Sequence, residues 1–266
     1  MTGESMTTST ETHTTEQIEV AGRRVQYLQG GSGDPVLVLH HSIGNHGWLP
    51  AYEALAATRQ VLVPDLPGYG QSERPEWARE TRDIAILVLQ MLDKLGLGPT
   101  PVVGLGFGGW IAAEMATMNQ QRISGLVLVG APGIQPDEGE ILDQMLIDYD
   151  EYVRAGFSNE ESFHAEFGED PAPEVRELWD FSREMTARLT WKPYMFNRRL
   201  PHLLQEVQTP TLLVRGADDG VVPLAVAQAY AAALPNASIE VVADCGHMVD
   251  MEQPERLAEL VAAHLG

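Results

Sequence analysis

The chain has one cysteine, few basic residues and no long apolar run. Cys245 alone cannot form an internal disulfide, which fits either a reducing compartment or a fold that does not depend on redox state. With 17 Lys and Arg against 38 Asp and Glu, the formal net charge is -21, and such a surface repels nucleic acids and acidic membranes. No run long enough to cross a bilayer and no signal-peptide pattern is present. We therefore expect a cytoplasmic protein that binds neither nucleic acid nor membrane.

The chain does contain a repeated alternation of buried strands and helices. Continuous apolar runs, typical of parallel strands buried on both faces, predict strands at 36–39, 61–63, 101–105, 126–129, 211–214 and 238–242. Helical spacing predicts helices at 48–57, 84–95, 110–118, 224–234 and 254–265. A hairpin is predicted around Ala21-Gly22. The pattern predicts the α/β class, with a mostly parallel sheet flanked by helices.

Two regions depart from this alternation. Residues 1–17 are rich in Thr, Ser and Glu and are predicted to be a disordered tail. The strand pattern also stops over residues 134–200, where helices are predicted at 141–155, 160–167, 174–189 and 191–196. We expect one α/β domain, formed by residues 18–133 and 201–266, with a helical cap inserted at 134–200.

The segment VVGLGFGGW, residues 102–110, ends a strand, turns sharply and begins a helix. It fits the nucleophile elbow G-x-S-x-G, with Gly104 and Gly108 as the outer glycines, but Gly106 stands where the elbow has serine. The corner requires a positive φ, which glycine adopts without strain. We predict a positive φ at Gly106 and no side chain to act as nucleophile.

Five motifs in order make the chain resemble the cap-bearing α/β-hydrolases from about Val20 to its C-terminus. They are VLVLHHSIGN for the oxyanion loop, VPDLPGYGQS after the next strand, GLGFGGW for the elbow, RGADDGVVP for the acid turn and CGHMVDMEQPERL for the histidine loop. The resemblance implies an α/β-hydrolase fold and an enzyme of the esterase, lactonase or C–C hydrolase kind.

The same resemblance implies a His–Asp pair. It places the base at His247 and the acid at Asp219, four residues before Pro223, with Asp218 as the less favoured acid. A carboxylate that accepts the Nδ1–H of an imidazole fixes its tautomer and stabilises the imidazolium. The alternatives are a structural histidine that caps a loop and a plain turn aspartate.

An oxyanion hole is also implied, formed by the backbone N–H groups of Phe107 and Ser42. The family's His-Gly in that loop is His40-His41 here, so His41 either reshapes the hole or lies on the surface. The predicted substrate-pocket residues are His41, Trp48 and Trp110, although aromatic residues beside an elbow are equally often core residues.

Glycine at position 106 excludes an acyl-enzyme at that position, since loss of a triad nucleophile costs roughly a millionfold in turnover, about 8 kcal/mol. Ser42 and Cys245 are disfavoured as replacements. We expect a hydrolase-like enzyme that cleaves an ester, a lactone or a C–C bond of a small molecule through the His247–Asp219 dyad. No cofactor and no metal are expected, and the protein is expected to be a monomer or a homodimer.

Three alternatives to this hydrolase remain open. They are non-hydrolytic general-base chemistry of the lyase or cofactor-free oxygenase type, a non-catalytic pocket that binds a small ligand, and an ordinary serine hydrolase whose nucleophile was replaced. A dinucleotide site is disfavoured: residues 104–109 fit G-x-G-x-x-G, but the following strand carries no acidic residue at its end, and the first carboxylate is Asp137.

Overall fold

In this computed structural model, which describes residues 12–266, helices flank an eight-stranded sheet. The strands are β1 His13–Val20, β2 Arg23–Gly31, β3 Pro35–Leu39, β4 Gln60–Pro64, β5 Val102–Leu105, β6 Leu126–Val129, β7 Thr211–Gly216 and β8 Ala237–Val242. The α-helices are α1 Pro50–Ala56, α2 Thr81–Lys94, α3 Phe107–Asn119, α4 Tyr149–Arg154, α5 Glu160–Phe167, α6 Pro173–Thr190, α7 Leu200–Leu204, α8 Leu224–Ala233, α9 Val249–Glu252 and α10 Pro254–Leu265.

The strands lie in the order β1-β2-β4-β3-β5-β6-β7-β8. The pairs β1–β2 and β2–β4 are antiparallel, and every other neighbouring pair is parallel. The prediction of a mostly parallel sheet flanked by helices is confirmed. Within residues 12–266, none of the helices combines the length and the apolar composition that a membrane crossing needs.

The central strands are buried on both faces, as their continuous apolar runs predict. In β3, Leu37 and Leu39 pack into one core cluster with α2 and α3, whereas Val36 and Val38 pack into a second cluster with α1 and α10. Successive side chains of a strand point to opposite faces, so one apolar run supplies both layers.

The predicted disordered tail is wrong over residues 13–17. These residues form most of β1, which pairs with β2 from His13 opposite Gly30 to Val20 opposite Arg23. An edge strand is held by backbone hydrogen bonds and can leave polar side chains in solvent, so its composition resembles that of a loop. The rest of the predicted tail, residues 1–11, lies outside the described residues.

The insertion, residues 134–200, lies between β6 and β7 and contributes α4, α5 and α6. The helices predicted at 160–167 and 174–189 are present as α5 and α6. The helix predicted at 141–155 is wrong for its first half, because α4 begins only after Asp148, whose side chain accepts a hydrogen bond from the Asp150 N–H at 2.9 Å. Upstream, the Leu142 N–H donates to the Val221 carbonyl at 2.9 Å, a tertiary bond that overrides the local helical pattern.

The helix predicted at 191–196 is also wrong. This segment turns back on itself through a bridge between Trp191 and Tyr194, and Phe196 forms a bridge with Gly133 at the start of the insertion. The Tyr194 hydroxyl donates to the Leu142 carbonyl at 2.9 Å. The aromatic residues that suggested a helical face therefore connect the two ends of the insertion.

Parallel strands align their carboxyl ends along one edge of the sheet, where open α/β folds bind ligands. His41 follows β3, Gly106 follows β5, Asp219 follows β7 and His247 follows β8. The sheet therefore brings four separate loops to one place.

Candidate active site

The elbow at Gly106 has the predicted conformation. Gly106 joins β5 to α3 with φ 48° and ψ -116°, and its N–H donates to the Val129 carbonyl at 2.7 Å. Gly104 and Gly108 are required by close approach, since a Cβ on either would collide with the backbone of Gly109 or Leu39. The prediction of a positive φ at Gly106 is confirmed.

The structure brings His247 and Asp219 together, with Nδ1 3.0 Å from Oδ2 and both side chains buried. The other carboxylate oxygen accepts the Val221 and Val222 N–H groups, each at 2.8 Å. Burial alone raises the pKa of Asp219, but the charge and hydrogen bond of His247 and the two backbone bonds outweigh it and lower that pKa. An ionised Asp219 accepts the Nδ1–H, which leaves a lone pair on Nε2.

The second ring nitrogen of His247, Nε2, has no hydrogen-bond partner within residues 12–266 and faces the apex of the elbow. A Cβ added to Gly106 would lie 2.9 Å from Nε2 of His247. Gly130, at the end of β6, makes room for the dyad, because a Cβ there would lie 2.8 Å from Nδ1 of His247. Sequence reasoning missed Gly130, whose only signal is its position directly after a buried strand.

His41 forms a second buried pair, with Asp250. Its Nε2 lies 2.8 Å from Oδ1 of Asp250, with side-chain exposures of 2% and 0%. Its Nδ1 has no hydrogen-bond partner among residues 12–266 and would lie 2.5 Å from a Cβ on Gly106. The His41 and His247 rings are 5.2 Å apart between centroids. The alternative of a surface imidazole is therefore wrong. Asp250 was missed, although a carboxylate in the apolar stretch HMVDM was a signal.

The chain is similar to known proteins over most of its length. Residues 36–260 match the description "Alpha/beta hydrolase family". This chain belongs to that family. The predicted fold is confirmed by a solved structure, a meta-cleavage product hydrolase from Pseudomonas fluorescens, with a TM-score of 0.78 and 24% identity over 94% of this chain and 96% of that chain.

Two curated relatives of this α/β-hydrolase align over most of its length. A 2-hydroxymuconate semialdehyde hydrolase from a Pseudomonas species is 30% identical, covering 94% of this chain and 93% of the relative. The dihydrolipoyllysine-residue acetyltransferase component of an acetoin cleaving system from Pseudomonas putida is 29% identical, covering 94% of this chain and 69% of that protein.

The predicted oxyanion donors of the α/β-hydrolase are Ser42, in the loop after β3, and Phe107, at the start of α3. The Gly108 N–H donates to the His40 carbonyl at 3.1 Å, which fixes this loop against the start of α3. In the described part of the chain, the backbone N–H groups of Phe107 and Ser42 have no hydrogen-bond acceptor. Both groups remain predicted donors to a developing oxyanion.

The insertion covers this loop with aromatic side chains. Tyr149 and Tyr152 stack with ring centroids 5.3 Å apart. The Tyr152 hydroxyl lies 3.2 Å from the Ser42 Oγ, and the Tyr149 hydroxyl donates to the Ser42 carbonyl at 3.4 Å. Burial raises the pKa of Tyr152 to about 12, so this phenol is a neutral donor at physiological pH. Ser42 therefore contacts the insertion, and its hydroxyl faces a phenol rather than an imidazole base.

Of the two predicted tryptophans, Trp110 is buried in the core and Trp48 is half-buried at its edge. Trp48 stacks on His13 at 4.9 Å between centroids and donates to Glu53 at 2.6 Å. Trp110 is buried against Phe107 at 6.2 Å and donates to Glu114 at 3.3 Å. These contacts favour the core alternative for both residues, and a direct role in the pocket stays a prediction.

Cys245 has the properties of a buried structural thiol. Burial, with smaller contributions from nearby carboxylates, raises its pKa to about 12, so it is protonated and a poor nucleophile at neutral pH. Between residues 12 and 266, no group of three His, Cys, Asp or Glu side chains is placed to hold a metal ion.

Two further histidines, the buried His40 and the half-buried His46, have hydrogen-bond partners away from Gly106. The His40 Nδ1–H donates to the His41 carbonyl at 2.7 Å, and Nε2 accepts the Leu66 N–H at 3.0 Å. Nε2 of His46 accepts the Trp179 indole N–H at 3.2 Å. Burial lowers the pKa of both His40 and His46 to about 4.

These two histidines predict acid sensitivity. The unfolded chain binds a proton at each below about pH 6.5, whereas the folded chain binds it only near pH 4, so stability falls as pH falls between these values. We expect a loss of roughly 3 kcal/mol per histidine across this range, measured by urea unfolding at stepped pH. His46→Asn should remove about half of this pH-dependent change in the free energy of unfolding. If the free energy of unfolding of the variant changes with pH as steeply as that of the native protein, the assignment to His46 is wrong.

Proposed function

We propose that this α/β-hydrolase is an enzyme that hydrolyses small organic substrates through general-base catalysis by His247, oriented by Asp219, without a covalent intermediate. One observation carries the proposal. The imidazole Nε2 faces the apex of the elbow at 2.9 Å from the Cβ position, while Gly106 supplies no nucleophile there. A base oriented by a carboxylate toward an apex that carries no nucleophile is suited to activating water.

In the proposed reaction, Nε2 of His247 takes a proton from water as the water oxygen bonds to the substrate carbonyl carbon. The carbonyl electron pair moves onto its oxygen, which the Phe107 and Ser42 N–H groups stabilise. When the tetrahedral intermediate collapses, the bond to the leaving group breaks and the imidazolium returns its proton to that group. Water is consumed and no bond to the protein forms; an ester or a C–C bond gives two products, whereas a lactone gives one ring-opened hydroxy acid.

The substrate class we propose is a carbonyl compound cleaved at an ester, a lactone or a C–C bond. A relative that spans almost the whole chain is named a 2-hydroxymuconate semialdehyde hydrolase, which supports a small carbonyl substrate. The burial of His41, Ser42, Asp219 and His247 beneath the insertion also favours a small substrate.

The geometry disfavours a serine hydrolase that has merely lost its nucleophile. A Cβ at position 106 would lie 2.5 Å from Nδ1 of His41, closer than packed side chains allow. His41 is held by Asp250, so the ring cannot turn away without breaking a buried hydrogen bond at 2.8 Å. Glycine at 106 and histidine at 41 therefore fit one another.

We test the proposed function with Asp219→Asn and its exposed neighbour variant Asp218→Asn as the matched control. Turnover is measured on p-nitrophenyl acetate, δ-valerolactone and 2-hydroxymuconate semialdehyde. Asp219→Asn should lower kcat/KM about 100-fold, because an amide does not enforce the Nδ1–H tautomer, and Asp218→Asn should change it less than twofold. Equal effects of the two variants, or binding of all three compounds without turnover, would contradict the proposal.

A further inference from the structure

We propose that His41 and Asp250 form a second proton-transfer dyad, and that the imidazoles of His41 and His247 together hold the attacking water. This inference rests on the proposed hydrolysis and adds a second catalytic residue to it. Asp250 is then a positioning residue that acts through His41, as Asp219 acts through His247.

The two free ring nitrogens point at the same small space. Measured from the position of a Cβ on Gly106, Nδ1 of His41 is at 2.5 Å and Nε2 of His247 is at 2.9 Å. A water oxygen makes hydrogen bonds to nitrogen at roughly 2.7–3.2 Å. A water oxygen cannot occupy that position itself, which is one bond length from the Gly106 Cα. Because both nitrogens lie within 3 Å of it, one water just outward of it can bridge them at hydrogen-bond distances.

The two carboxylates impose opposite tautomers on the two rings. Asp219 accepts from Nδ1 of His247, and Asp250 accepts from Nε2 of His41. Each ring then presents a lone pair to the space above Gly106, and two lone pairs are matched by the two O–H donors of one water. His40 differs, because both of its ring nitrogens are bonded to the backbone.

Burial supports a functional rather than a packing role for the second pair. Asp250 is fully buried, and its Oδ2 has no partner in the described residues, as is also true of Nδ1 of His41. A buried carboxylate with a single partner is destabilising compared with apolar side chains of the same volume. Unpaired buried polar atoms that converge beside a catalytic base are typical of an active site.

With two dyads, each proton of the water has its own acceptor. His247 takes one proton as the oxygen bonds to the carbonyl carbon, and later gives it to the leaving group. The second O–H stays hydrogen-bonded to Nδ1 of His41, which orients the attacking lone pair. When the product acid forms, its proton passes to His41 and then to solvent.

The first test reads the tautomers directly. Long-range proton–nitrogen NMR of ring-labelled protein at pH 8, assigned with His→Gln variants, should show His247 protonated at Nδ1 and His41 at Nε2. His40 is the internal control and should be protonated at Nδ1, since its Nε2 accepts from Leu66. A His41 protonated at Nδ1 would overturn the inference, because the ring would then present a donor to the water.

The second test separates this inference from the proposed function. His41→Gln should lower kcat about 10- to 100-fold on the three compounds, with KM changed less than threefold. Asp250→Asn should also lower kcat. If His247→Gln abolishes turnover while His41→Gln leaves it within twofold, the second dyad is wrong and the first stands. If neither variant changes turnover, the proposed function itself fails.

Discussion

His247→Gln lowers kcat/KM by roughly 1,000- to 10,000-fold on any substrate that the native protein turns over, because it removes the base and keeps the fold intact. The amide can still donate to Asp219, so the buried carboxylate keeps a partner and the cost in stability stays small. Initial rates with p-nitrophenyl acetate, δ-valerolactone and 2-hydroxymuconate semialdehyde measure this effect.

The matched control is His202→Gln, at an exposed histidine on α7. It should leave kcat/KM within twofold of the native value, since it makes the same chemical change at a solvent-exposed side chain that belongs to neither dyad. If the two variants behave alike, His247 is not the base. Thermal unfolding of both variants confirms that any loss of rate is not a loss of fold.

Gly106→Ser alone fails to create a serine hydrolase, whereas Gly106→Ser combined with His41→Gly succeeds. In the single variant the new Cβ meets Nδ1 of His41 at 2.5 Å, and a side chain at φ 48° adds roughly 1–3 kcal/mol of strain. The second substitution removes the imidazole of His41 and restores the His-Gly pair of the family's loop. With that space free, a small shift of His247, whose Nε2 is 2.9 Å from the Cβ position, places this nitrogen beside the introduced hydroxyl.

A fluorophosphonate probe measures the difference, because it labels only an activated serine. We expect labelling of the double variant at least about 100-fold faster than of the single variant, and none of the native protein on the same timescale. His41→Gly alone is the control for nonspecific labelling. Equal labelling of the single and double variants would show that His41 does not occupy the space of the missing side chain.

The fold was predictable because its signals are local. Continuous apolar runs such as 36–39 and 126–129 occur where parallel strands are buried on both faces, and glycines 104 and 108 stand where a Cβ would collide with the neighbouring backbone. The start of β1, residues 13–17, was not predictable from composition, because the backbone bonds that hold it leave no pattern in side-chain hydropathy, whereas its end belongs to the predicted hairpin around Ala21-Gly22. The start of α4 was misplaced because its upstream neighbour Leu142 bonds to Val221, a distant residue.

The first dyad was predictable and the second was not, for a physical reason. His247 and Asp219 stand in motifs whose order along the chain specifies their loops. His41 and Asp250 are separated by 209 residues, and only the folded sheet brings the loop after β3 against α9. A histidine in place of the family's glycine marked the loop as unusual, but nothing in the sequence identified its partner.

Together the two dyads give a functional reason for the absence of serine at position 106. His41 fills part of the space that a nucleophile would need, and its free nitrogen points to the same place as that of His247. The arrangement of the site is therefore that of a water-binding site between two imidazoles, rather than that of a serine hydrolase that has lost its nucleophile.

The most direct test of hydrolysis without a covalent intermediate is a single-turnover reaction with enzyme in excess over 2-hydroxymuconate semialdehyde or a p-nitrophenyl ester. The reaction is stopped by acid at intervals, and the mass of the intact protein is measured by mass spectrometry. The Gly106→Ser/His41→Gly variant is treated in the same way. We predict that product forms while the native protein keeps its unmodified mass, and that the double variant passes through an acyl adduct. An adduct on the native protein that rises and decays at the rate of turnover, on Ser42 or any other residue, would contradict the account.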